Sequence, residues 1–406
     1  MALIAQGEPS TVAGCSTNLS KILNRGAVSS LVLSRTLSAV NWFNIASVFA
    51  FIARDFGQNI SGLGLVTASF YVGLGIFQIP AGIIAAKIGS RKTAIYGMLL
   101  ASIASSLTAV TVDFYQFVLL RFLAGIGMAL FFGPGVTLVA KYFRHESQGL
   151  GLGIFNGAFY LGGSLGLFGW SVLADLIGWR VSLATSGGLG ILCALLLIVS
   201  LPKDETRSFV VKASDLRRIL ADRWLLLLSL ELFGIGSGSI LINTFMIYYL
   251  EQSLKLGPVI AGGIGSLAPL CAVLASPLFG MIYDKTRKTR MILFLSGSAL
   301  AFAIALVSIG SVYSAVMSTV IVGLCAGTFT VTYLAALDTR LVSHEYQTLA
   351  VSWVNNIQML AGFWSPVAFS ALVISVGYVN SWLTAAMYTF VLISVILLAR
   401  DRKTST

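Results

Sequence analysis

Apolar residues run in long blocks from position 28 to position 399, broken by short joints that are polar or rich in glycine. About 20 such residues cross the hydrocarbon core of a bilayer as a helix. Lipid cannot satisfy open backbone groups, so each block predicts a regular transmembrane helix. The blocks fall at 28–51, 61–86, 92–111, 113–141, 148–174, 178–201, 224–250, 258–283, 291–310, 312–336, 347–375 and 378–399. The longest polar stretch, Pro202 to Asp222, separates six of them from the other six.

The expected fold is therefore all-α and integral to the membrane, with twelve transmembrane helices. An N-terminal extension at 1–27 precedes a six-helix half at 28–201. A linker at 202–223, a second half at 224–399 and a tail at 400–406 follow. Within the linker, Leu216, Ile219 and Leu220 give a short amphipathic run suited to the membrane interface. The halves read as a repeat. Gly82 precedes Lys87 after the second block, and Gly280 precedes Lys285 after the eighth, each 198 positions on. Two pseudo-symmetric halves of parallel orientation place a binding site near the midplane between them.

Composition agrees with the membrane. Hydrophobic residues make up 57% of the 406 and charged residues 10%, against roughly 25% charged in a soluble domain. The net charge of +11 changes meaning once placed on the spans. Only Arg54, Arg180 and Lys255 fall at the ends opposite the linker, and nearly all other Lys and Arg fall on the linker side. Positive residues mark the cytoplasmic side. Both termini are thus expected inside, in a multi-pass protein of the cell membrane, and the charge is no nucleic-acid footprint. The first 27 residues lack the apolar core of a signal peptide and read as a loosely ordered extension. Cys15, Cys193, Cys271 and Cys325 have no paired spacing, so neither a disulfide framework nor a metal site is expected. With no glycine-rich phosphate loop and no nucleophile–base pair, no cofactor or enzymatic reaction is expected either.

The candidate chemistry is embedded charge. Arg35 lies roughly 12 Å into the first span at 1.5 Å per residue, and Arg121 lies similarly deep in the fourth. An arginine at such depth costs about 2.5–3.5 kcal/mol on insertion scales, so it faces a packed interior or a wet cavity. A planar guanidinium suits a carboxylate or phosphate. Trp42 shares the helical face of Arg35, whereas Asn41 and Asn44 turn toward another surface. Asn156 and Tyr160 on span five, and Asn355 and Gln358 on span eleven, are spaced to complete a polar cavity or to bind helices to each other. Glu231 is the one acid deep within a span, and the offset of 198 sets it opposite position 33. It is expected to face Arg35 and to act as the proton-coupling group, since a buried carboxylate responds to nearby charge. A fixed salt bridge is the other reading of that pair.

Several motifs resemble the major facilitator superfamily over nearly the whole chain after residue 27. Gly82 to Lys92, with Gly89 and Arg91, is similar to its cytoplasmic signature, although Ala86 replaces the usual aspartate. Gly280 to Lys288, with Asp284, Lys285 and Arg287, is the worn second copy. The resemblance implies that Gly82, Lys87, Arg91, Asp284, Lys285 and Arg287 gate the cytoplasmic end. Arg121-Phe-Leu-Ala-Gly125-Ile-Gly127 resembles the fourth-helix signature, whose glycines let a neighbouring helix pack beside the charge. In span five, Gly163 stands where an antiporter motif has proline, which disfavours proton-driven drug export. The run from Gly64 through Phe77, Gln78 and Pro80 resembles organic-anion importers of the anion:cation symporter group. The acids of that group fall here on Asn41 and Met128, so its proton machinery is missing.

The expectation is a monomeric secondary transporter of a small organic anion of carboxylate type, working by alternating access. Arg35, Arg121, Trp42, Asn156, Tyr160, Asn355 and Gln358 would bind the anion, with protons as a candidate coupling ion through Glu231. The alternative is a proton-driven exporter of drugs or metabolites in which Glu231 binds a cation.

Overall fold

The computed structural model describes residues 10–142, 148–202, 221–337 and 347–398. The linker run around Leu216 and the cytoplasmic tail lie outside these residues. The described chain is helical: α1 (Ser10–Phe56), α2 (Ile60–Ile88), α3 (Ser90–Leu107), α4 (Phe114–Tyr142), α5 (Gln148–Ile177) and α6 (Trp179–Ser200) precede the linker. After it come α7 (Arg223–Gln252), α8 (Pro258–Thr286), α9 (Thr289–Val307), α10 (Val312–Cys325), α11 (Gly327–Leu337) and α12 (Gln347–Ser394). Among the described residues, eleven helical segments are long and apolar enough to cross a membrane. Large apolar side chains such as Leu176, Leu274 and Met387 are exposed on the outward faces, where lipid rather than water is the fitting solvent.

Three boundaries differ from the sequence expectation. Helix α1 begins at Ser10, so residues 10–27 continue the first helix instead of forming a loose extension. The expected span 312–336 is two helices that meet at Ala326. The expected spans 347–375 and 378–399 lie within α12 and the 3-10 turn after it, with a break at Gly377 (φ 78°, ψ 171°). The break reverses the chain. Phe369 and Trp382 would stand about 20 Å apart along a straight helix, yet their ring centroids are 4.4 Å apart.

Local geometry repeats along the chain. Gly57 and Lys255, 198 positions apart, both have positive φ (62° and 56°). So do Gly89 and Arg287 at the same spacing (94° and 51°). Asp113 accepts the amides of Tyr115 and Gln116 at the start of α4, and 198 positions on Ser311 caps α10 through Ser314. At the opposite ends of the helices, Arg91 donates to the carbonyls of Leu201 (2.8 Å) and Ile198 (2.5 Å). Arg290 donates likewise to Leu397 (3.0 Å).

The packing is asymmetric from end to end. Toward the turns at 57–59 and 253–257, one apolar core joins helices from both sides of the linker, including Phe49, Trp170, Phe245, Phe369 and Trp382. Toward the linker the cores separate. One holds Leu31, Met98, Phe131 and Leu197; another holds Leu225, Tyr283, Leu293 and Ile396. The joined end closes on two matching contacts. A methyl built on Gly64 of α2 would lie 2.6 Å from Ser370 Oγ and 2.8 Å from the Pro366 carbonyl of α12. One on Gly262 of α8, 198 positions on, would press on Ser171 and lie 2.9 Å from the Leu167 carbonyl of α5.

Candidate functional site

Between the joined end and the split end lies a cavity of about 220 Å³. Each element brings a side chain to it by helical spacing. Arg35 and Trp42 come from α1, Tyr71 and Gln78 from α2, and Arg121 from α4. Asn156, Phe159 and Tyr160 come from α5, Asn243 from α7, Tyr333 from α11, and Asn355 and Gln358 from α12. The seven residues expected to bind substrate thus line one space. Among the described residues, its lining holds two arginines and no Asp or Glu.

Arg121 is placed by glycine. A Cβ at Gly125 would collide with the Phe70 carbonyl of α2, and one at Gly127 with the backbone of α3 at Ala101. Such close approach brings the Phe70 ring to 4.6 Å from the Arg121 guanidinium carbon. Arg121 donates to the Asn41 carbonyl at 3.0 Å, while its Nε is buried without a partner. Asn41 and Asn44 direct their side-chain amides to Ser186 of α6, away from the cavity, as their helical positions suggested.

Arg35 sits among rings. Its guanidinium carbon is 4.2 Å from the Phe159 centroid, 4.6 Å from Phe132 and 5.2 Å from Phe155. It is 5% exposed, and its Nε has no hydrogen-bond partner. Among the described residues neither arginine forms an ion pair with an acid; the pairs are Arg180 with Asp55 and Arg287 with Asp284. Cation–π contact stabilises a desolvated guanidinium by about 2 kcal/mol, but the positive charge itself is left unneutralised. Sequence reasoning missed this cage. Phe132 and Phe159 lie on different helices, and no local spacing links them to Arg35.

Glu231 stands elsewhere. It is fully buried, accepts the Thr332 hydroxyl at 3.1 Å, and is not among the residues that line the cavity. The expected meeting of Glu231 with Arg35 is therefore corrected: Glu231 turns into the packing of α7 on α11, whereas Arg35 turns into the rings of α4 and α5.

The residues expected to gate are dispersed at the split end. A Cβ at Gly82 would meet nothing within 4 Å. Arg91 bonds to the end of α6. Lys87 and Lys285 are exposed, and Asp284 pairs with Arg287 at 3.8 Å on the surface. The side chain of Ala86 lies outside the described residues.

Comparison with known proteins follows the same lines. The nitrite extrusion protein of Bacillus subtilis is 26% identical over 70% of this chain and 74% of its own length. A probable galactarate/D-glucarate transporter of Escherichia coli is 23% identical over 57% of this chain and 60% of its own. Among solved structures, an inward-facing, occupied bacterial homologue of the human lysosomal transporter Spinster superposes with a TM-score of 0.74. That match has 18% identity and covers 91% of this chain and 95% of the other, which carries the fold alone. The Major Facilitator Superfamily profile matches residues 31–366 and, again, 232–405. With that match spanning most of its length, this multi-pass membrane chain belongs to the Major Facilitator Superfamily.

Proposed function

We propose that this transporter moves a small organic anion of carboxylate type across the cell membrane by alternating access. One observation carries the reading: a central cavity whose lining, among the described residues, has Arg35 and Arg121 and no acid. Two buried cations without counter-charge make an empty site unfavourable and an anionic occupant its natural complement. The relatives named as nitrite and galactarate/D-glucarate transporters support the anion independently of geometry.

The recurrence at 198 positions and the reversal at Gly377 support twelve crossings in two six-helix halves, 28–201 and 224–399. Basic residues crowd the linker side, which supports a cytoplasmic placement of both termini. The core joined at one end and divided at the other then corresponds to a cavity closed outward and able to open inward. Glu231 is the candidate proton site in this scheme. It acts from within the second half, through Thr332, and not by direct contact with Arg35.

The test is a thermal-shift screen of purified protein against small carboxylates, phosphates, amino acids, sugars and cationic drugs. A ligand stabilises what it binds. Stabilisation by carboxylates supports the reading; stabilisation by cations alone overturns it.

A further inference from the structure

The two arginines are joined by an aromatic wall. Phe159, 4.2 Å from the Arg35 guanidinium, stands 5.4 Å from Trp42 between ring centroids. Trp42 stands 5.0 Å from Phe70, which lies under Arg121. The indole N–H of Trp42 is already given to the Tyr71 hydroxyl at 3.2 Å, so Trp42 offers a ligand its faces and edges rather than a donor.

Across the cavity the surface is different. Tyr333 shares its hydroxyl between Asn355 Oδ1 (2.7 Å) and Gln358 Oε1 (3.3 Å). That fixes both amides with their oxygens occupied and their nitrogens left to donate toward an occupant. The cavity thus has a cationic, aromatic wall in Arg35, Trp42, Phe70, Arg121 and Phe159, with the polar side chains of Gln78, Asn156 and Tyr160 on the same helices, and Tyr333, Asn355 and Gln358 on α11 and α12.

We propose that this cavity selects aromatic carboxylates that carry a hydrogen-bonding ring substituent. The inference rests on the anion reading above and narrows it. A guanidinium packed among rings is free chiefly at its N–H edge, the edge that a planar carboxylate meets with two parallel hydrogen bonds. The ring of the ligand then lies on Trp42 with offset or edge-on geometry. A substituent on the far side accepts from Asn355 and Gln358.

The experiment is calorimetric titration of the full-length protein with 4-hydroxybenzoate, benzoate, cyclohexanecarboxylate and D-glucarate. The expected order has 4-hydroxybenzoate tightest, and benzoate tighter than cyclohexanecarboxylate by about tenfold. Trp42→Leu should shrink that last ratio toward one. Phe159→Leu provides the same readout if the first variant does not fold. Equal affinity for benzoate and cyclohexanecarboxylate would overturn the planar selection. D-glucarate tighter than either ring acid would overturn the substrate class and leave the anion reading standing. Failure of every carboxylate, with a cation bound instead, would remove both.

Discussion

Thr332 donates its hydroxyl to Glu231 at 3.1 Å, and the other carboxylate oxygen of Glu231 is buried with no partner among the described residues. That half-satisfied acid lies in the interior of the helices that follow the linker, where a buried carboxylate oxygen without a partner is costly. Thr332→Val removes its remaining bond and should destabilise the protein by about 1–3 kcal/mol. A lowered melting temperature in detergent measures this. An unchanged one would show that the bond contributes nothing.

Glu231→Gln keeps the shape and accepts the same hydroxyl but cannot exchange a proton. The variant should bind and exchange substrate yet lose acceleration by an inward proton gradient. Uptake into proteoliposomes with and without the gradient reads the difference. Wild type indifferent to the gradient leaves a facilitator or an exchanger, and a Gln variant still driven by it removes Glu231 from the coupling.

Gly64 and Gly262 predict how the closed end behaves. Each sits against a serine and a helix carbonyl across the linker-divided halves, with no room for a side chain. Gly64→Val and Gly262→Val should hold this end apart. A single cysteine at Ala46, on the cavity lining and 7% exposed, would then react several-fold faster with an impermeant thiol reagent, in a background without native cysteines. Unaltered labelling with intact folding would show that the glycine contacts do not set closure.

The basic asymmetry predicts topology. Single cysteines in the 202–222 segment should resist an impermeant reagent in intact cells and react in inverted vesicles. Labelling in intact cells would reverse the orientation.

Much of this arrangement is legible in the chain because membrane helices obey one period and one solvent. Arg35 and Trp42, Asn156 and Tyr160, and Asn355 and Gln358 each share a helical face, and each pair reaches the cavity. Gly125 and Gly127 signal a close helix approach near Arg121, and the backbones of α2 and α3 fill it. Relations between helices are less legible. An offset of 198 relates Glu231 to position 33 in sequence, but the rotation of α7 about its axis decides where the carboxylate points, and it points to Thr332. The cage of Phe132, Phe155 and Phe159 around Arg35 likewise exists only after α4 and α5 pack on α1.

The central claim is that Arg35 and Arg121 together hold an anion, and calorimetric titration of Arg35→Gln and Arg121→Gln tests it most directly. Gln keeps hydrogen-bonding capacity and removes the charge. Each variant should remain folded by size-exclusion and circular dichroism while carboxylate affinity falls by at least about 30-fold, as expected when one partner of a buried charged pair is lost. Wild-type affinity in both variants for a carboxylate that the parent binds would contradict the account.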